Sequence, residues 1–521
     1  MACAAGCAGV ISSACAGRPA NDSLPIALPL HPLLYELNTR CWLHELSGQH
    51  GRVVQLGNVP EEEFAAWQRQ GFTHIWLMGT WTTCSRARET ALNDPALIDL
   101  FRKALPDWTP DDVTGSPYAV ADYHVPDTLG GEEGLRRFRE RLHAHGMKLI
   151  LDFVPNHTGL GHPWVKMKPE LFVQGPPGAR ETFATETNSG VLWIAHGKDP
   201  FFPCWEDTAQ LDYRRADTQA IMQEMLRDVA VRCDGVRCDM AMLILRDVFA
   251  KTWATLPRTA PQTPAEFWTE AIASVKRVFP DFLFLAEVYW DLERNLQRLG
   301  FDYTYDKWLY DHLAYDNYAE TQHHLVGVEP GFLCHSVHFL ENHDEQRAAT
   351  RFTFEEHRAA ALLTYGLPGM RFLHEGQLEG ARIRLPVHLS RRPVESEDTR
   401  ISSFYEELLA ALDNSAVGHG EFEILRPRSA WSDNTTDHCF VVVQWQSAPD
   451  AFDLVVVNLA AQPSQCYVTP VIAGLARREW KMEDLLGEEK YWRNGTEMQA
   501  RGLYLALPPR GAQLFHFTPA K

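Results

Sequence analysis

The sequence has no uninterrupted apolar run of 18 residues, so none of its helices is expected to span a membrane. Long basic runs are missing too: 49 Lys and Arg face 68 Asp and Glu, a formal charge of −19. Phosphate backbones and anionic lipid need clustered cations, so nucleic acid and membranes are poor partners for this chain. No Gly-rich dinucleotide fingerprint follows any strand-like segment. The 11 cysteines suggest no disulfide framework, and no Cys or His pair at zinc-site spacing matches Cys233 and Cys238. Free buried thiols in a reducing compartment are the simpler account. The first 20 residues lack a basic n-region and a strong apolar stretch, so residues 1–28 read as a disordered leader of a cytoplasmic protein.

At 521 residues the chain exceeds what one hydrophobic core usually organises. From Leu33 onward, short apolar runs alternate with helical patterns. Strands are expected at 33–37, 72–78, 148–153, 235–239, 282–286, 301–305, 336–340 and 370–373. The third is almost continuously apolar, as a strand covered on both faces should be. Eight such strands with intervening helices predict an α/β fold, a (β/α)8 TIM barrel, over residues 29–412. A stretch rich in Gly, Pro and aromatics at about 158–210 is too long for a barrel loop and predicts a small inserted subdomain after strand 3. Beyond 412 the pattern changes to short strands between turns, which predicts a C-terminal antiparallel β-sandwich over 413–521.

Barrel enzymes carry their chemistry at the C-terminal ends of the strands. Four acidic residues stand there: Asp152 after strand 3, Asp239 after strand 4, Glu287 after strand 5 and Asp344 after strand 7. Each alone has an ordinary explanation, as a helix cap or a solvated strand end. Together they match a chemistry. Retaining glycosidic cleavage needs two carboxyl groups about 5 Å apart, and neighbouring parallel strands lie about 4.8 Å apart. Asp239 and Glu287 are therefore a candidate nucleophile and acid/base pair. Arg237, two residues before Asp239, points to the same side and is expected to hold Asp239 ionised with a low pKa. Glu287 is expected to stay protonated through burial beside a second carboxylate. Asp344 suits stabilisation of a cationic transition state, and His157 and His343 supply donors to ring hydroxyls.

These motifs resemble those of glycoside hydrolase family 13, the α-amylase superfamily. The resemblance rests on Asp152, Asn156 and His157 after strand 3, on Gly235, Arg237 and Asp239 in strand 4, on Glu287, and on Asn342, His343 and Asp344. It implies that Asp239 is the nucleophile, Glu287 the general acid/base and Asp344 the transition-state stabiliser. Asp152, Asn156 and Asn342 are supporting residues in the same pattern. Tyr118, within Ser116-Pro117-Tyr118, is similar to the tyrosine that stacks under the reacting sugar. Trp290, three residues past Glu287, either lines an acceptor subsite or packs against the inserted subdomain.

The chain departs from the family where the acceptor is bound. Met242 and Leu243 replace the Lys-His pair with which many amylases continue strand 4. Many members hold a structural calcium with a residue at the Asn156 position. Position 243, Leu in place of His, removes another position commonly involved, so a structural calcium stays open without being predicted, and no cofactor is required. The reading implied is a retaining glycoside hydrolase or transglycosylase acting on an α-glucan or α-glucoside. Water, a sugar hydroxyl or phosphate remain open as acceptors, and the oligomeric state is left open. The alternative is an inactive amylase-like carbohydrate-binding or scaffold protein, since fold does not fix function.

Overall fold

The computed structural model describes residues 31–188, 190–258, 265–315 and 317–520, so the leader expected at 1–28 lies outside the described residues. Eight parallel strands close into a barrel: β1 (Leu33–Asn38), β2 (His74–Met78), β3 (Lys148–Phe153), β4 (Gly235–Cys238), β5 (Leu283–Ala286), β6 (Tyr303–Tyr305), β7 (Ser336–Phe339) and β8 (Met370–His374). Each strand pairs with its sequence neighbours, and β8 closes on β1 with Leu33 opposite Arg371 and Glu36 opposite His374. The eight expected strands are thus present.

The strands form where they do because two apolar layers cover them. Inward residues such as Leu34, Trp76, Ile150, Leu285, Val337 and Phe372 fill the barrel's own core. Outward residues such as Leu149, Leu151, Val236 and Phe284 pack under the surrounding helices. Burial of one such side chain contributes about 1.5–3 kcal/mol, which explains why strands of only three or four residues persist.

Two features are finer than the sequence reading. The long β2–β3 connection folds into helices Ser85–Asn93 and Pro95–Ala104, the second capped by the Asp94 carboxylate on the Ala96 and Leu97 amides. The segment after β3 forms an antiparallel hairpin, Thr182–Thr187 with Gly190–Ala195, and His157–Gly159 pairs with Thr208–Gln210 at its base.

After helix Thr399–Asp413 the chain builds a six-stranded antiparallel sheet and a three-stranded one. Phe440, Val442, Leu454 and Val456 of the first meet Cys466, Val468 and Leu505 of the second in a separate core. Strand Ala451–Asn458 is buried on both faces because its other side packs on the barrel helix Phe354–Gly366. A close approach fixes that seam. A Cβ on Gly366 would lie 2.7 Å from Val455, and the Gly366 carbonyl accepts the Trp445 indole N–H at 2.8 Å. Seven of the eight described cysteines are buried.

Candidate active site

β4 and β5 run side by side with Cys238 opposite Ala286, so the residues that follow, Asp239 and Glu287, emerge together. Arg237 is 1% exposed and forks between them: Nη1 donates to Asp239 Oδ1 at 2.7 Å and Nη2 to Glu287 Oε2 at 2.6 Å. The guanidinium lies against the rings of Trp76, Tyr118 and Tyr305, 5.2–5.9 Å from their centroids. Glu287 also accepts the Met240 amide at Oε2 and the Tyr289 hydroxyl at Oε1, at 2.8 and 2.7 Å. The backbone beside both carboxylates is held in the left-handed region at Met240 (φ 41°), Trp290 (φ 66°) and Asp291 (φ 58°). Such conformations cost about 1–3 kcal/mol each and gather at functional sites.

The electrostatics correct one expectation. Burial pushes the Asp239 carboxyl up to about 7; Arg237 opposes this, and the charge of Glu287 adds to it. Arg237 does not hold it low, because one guanidinium is shared between two buried carboxylates.

Asp152 braces the floor of the site. Its carboxylate accepts the Trp76 indole at 3.1 Å and the Gly79 amide at 2.8 Å, and burial pushes it up to about 6. Gly79 has φ 77°, and a Cβ there would lie 3.0 Å from Pro117. That close approach carries Tyr118 into the site, where its hydroxyl meets His343 Nε2 at 2.8 Å. His343 is held on its other side by Glu36, whose Oε1 lies 2.5 Å from Nδ1. Asn342 caps the turn after β7 by accepting the Asp344 and Glu345 amides. Asp344 stands at the mouth, its side chain 46% exposed and its Oδ2 3.1 Å from His343 Nε2. Enclosure pushes the Asp344 carboxyl up, but His343, Arg237 and Arg384 outweigh this and hold it well below the usual range.

The remaining expected residues have other surroundings. His157 is buried between Asn156 and Trp205 of the insert, and burial lowers it to about 4. Trp290 packs edge-on against Phe201 of the insert at 4.9 Å yet stays 36% exposed, so both of its expected roles are geometrically open. Met242 and Leu243 are buried in the apolar core. The Asn156 carboxamide oxygen accepts the Gln210 amide at 3.0 Å. Among the described residues, no three His, Cys, Asp or Glu side chains are arranged to hold a metal. No described helix is long and apolar enough to cross a membrane.

Glu36, Tyr289 and Tyr305 escaped the sequence reading. Tyr289 lies two residues past Glu287, a spacing that does signal a shared side of an extended chain.

The model of the α-amylase catalytic domain matches residues 71–385, which is more than half of the chain. The chain belongs to the α-amylase family. Among relatives of this α-amylase-family chain, α-amylase MalA of Haloarcula japonica is 25% identical over 356 residues, covering 67% of this chain and 48% of MalA. An α-1,4-glucan:maltose-1-phosphate maltosyltransferase of Burkholderia pseudomallei is 28% identical over 378 residues, covering 70% of this chain and 29% of the relative. The chain thus spans about half or less of the length of these two relatives. A maltogenic α-amylase, AmyB from Thermotoga neapolitana, shares the fold with a TM-score of 0.65 at 17% identity, over 94% of this chain and 99% of that one.

Proposed function

We propose that this chain is a retaining glycoside hydrolase or transglycosylase acting on α-linked glucosides. The observation that carries the reading is the Arg237 fork, which keeps Asp239 and Glu287 side by side at the ends of adjacent strands. The retaining route needs its two carboxyl groups about 5–5.5 Å apart. Asp239 attacks C1 of the sugar, the C1–O bond breaks, and the leaving oxygen takes the proton held by Glu287. Water or another hydroxyl then gives its proton to Glu287 and attacks C1, which frees Asp239. Asp344, kept anionic by His343, stabilises the positive charge that develops on the ring. Tyr118 and His343 border the reacting sugar.

The acceptor is the open specificity. The two relatives include one named an amylase and one named a maltosyltransferase, so both water and sugar or phosphate partners belong in the test. Wild type and Asp239→Asn are incubated with starch, maltodextrins, maltose, sucrose and trehalose, with and without phosphate, and the products are resolved by chromatography. Turnover by wild type that the variant lacks supports the reading, and the products name the acceptor. Full activity in Asp239→Asn on any cleaved substrate overturns it.

A further inference from the structure

Glu36 lies in the middle of β1, in the apolar sequence Leu-Leu-Tyr-Glu-Leu, and is fully buried. Its neighbour on the same face, Leu34, fills the barrel core. A carboxylate in that position is expensive unless an opposite charge meets it. What meets it is His343, with Nδ1 2.5 Å from Glu36 Oε1. The other ring nitrogen of His343 faces a second carboxylate, Asp344 Oδ2 at 3.1 Å, and the Tyr118 hydroxyl at 2.8 Å.

A neutral imidazole has one N–H and one bare nitrogen. With its proton toward Glu36, it could accept the Tyr118 hydroxyl but would leave Asp344 without a donor; with the proton reversed, it would set a lone pair against Glu36. Only an imidazolium satisfies both carboxylates. We infer that Glu36 is a positioning residue that keeps His343 an imidazolium and, through it, keeps Asp344 ionised. Asp344 is 46% exposed and Glu36 is fully buried, so water can solvate Asp344 while Glu36 depends on the ring for its hydrogen bond.

The groups around the pair fit this account. Glu36 Oε2 has no hydrogen-bond partner among the described residues and lies 3.9 Å from His374 Nε2. Arg237 and Asp152 act on the pair electrostatically, with opposite signs, and the edge of the Trp76 ring closes the remaining side of His343. Both Glu36 and Asp344 hold His343 well above its usual value against the opposing effect of burial.

The inference rests on the proposed role of Asp344, but its first test does not depend on turnover. Full-length protein labelled with 15N-histidine is observed by NMR, and His343 is assigned by loss of its signal in His343→Gln. Two protonated ring nitrogens are expected through pH 8 in wild type and one in Glu36→Gln. A single protonated nitrogen in wild type at pH 7, or two at pH 8 in Glu36→Gln, overturns the inference. If Glu36→Gln does not fold, the wild-type spectrum alone decides.

Kinetics supply the second test, with α-glucosyl fluoride as substrate. Loss of the imidazolium raises the Asp344 carboxyl, so the acid limb of kcat/KM moves to higher pH. At pH 5 the variant's kcat/KM relative to wild type is expected to fall about tenfold further than at pH 7. Glu36→Asp, which keeps the charge, restores the profile. An equal loss at every pH, unrelieved by Asp, marks Glu36 as merely structural and overturns the inference. Wild type that turns over no α-glucoside would instead sink the proposed function and leave the ring protonation as measured.

Discussion

Replacing Asp239 by Asn is expected to abolish turnover and, above neutral pH, to stabilise the fold. Asp239 is 5% exposed, and burial raises its carboxyl from 3.8 to about 7. A carboxyl raised in the folded state keeps its proton where the unfolded chain has already lost it. Stability therefore falls as pH climbs from about 4 to about 7. That rise covers about 3 pH units at about 1.4 kcal/mol each, so the ionised group costs the fold about 4 kcal/mol above pH 7. Asparagine has nearly the same shape and no charge. Its carboxamide oxygen still accepts from the charged Arg237 guanidinium, but more weakly than a carboxylate does, a loss of about 1 kcal/mol. Imperfect amide packing takes a further part, which leaves a net gain of about 1–3 kcal/mol at pH 8 and none at pH 4.5. Calorimetric scans at matched rates at both pH values measure this, since a multidomain chain need not unfold reversibly. A variant that melts below wild type at pH 8, or shifts by the same amount at both pH values, would refute the reasoning.

Gly366→Ala drives a methyl group to 2.7 Å from Val455 at the seam between barrel and sandwich. A loss of about 1–3 kcal/mol is expected, seen as a lower melting temperature that Val455→Ala partly restores. Phe201→Ala removes the ring against Trp290. It should lower kcat/KM for an aryl α-glucoside about tenfold relative to α-glucosyl fluoride, whose leaving group carries no ring; parallel losses on both would count against an acceptor role. Because the Asn156 carboxamide is engaged by Gln210, a chelator is expected to leave the melting temperature unchanged, and a drop of several degrees would reveal a metal that this geometry does not show.

The barrel was legible because its strands are the short apolar runs of the sequence, and burial on both faces leaves them no other pattern. The four acidic strand ends were legible for the converse reason: a carboxylate directly after an apolar strand stands out. Glu36 was not. A single charge inside β1 reads as an outward position, and its partner His343 lies 307 residues away. Nothing local links the two. The reversed pKa of Asp239 has a similar cause. The sequence places Arg237 beside Asp239 but does not reveal that the same guanidinium also serves Glu287 across a strand boundary. The insert's hairpin was hidden by its composition, since Gly, Pro and aromatics suggest a loop whether or not a sheet forms. The sandwich was recognised as strands, but its division into six-stranded and three-stranded sheets depends on pairings that local patterning does not encode.

The closure of β1 on β8 also has a consequence for biosynthesis. β1 is made first, but one of its two edges stays open until β8, about 340 residues later, leaves the ribosome. At about 5–20 residues per second, that wait lasts about 20–70 s. For most of it, the charge of Glu36 has neither His343 nor His374 to meet it, so β1 is poorly suited to settle early into a dry core. The carboxylate that serves the finished site thus also disfavours premature collapse around the first strand.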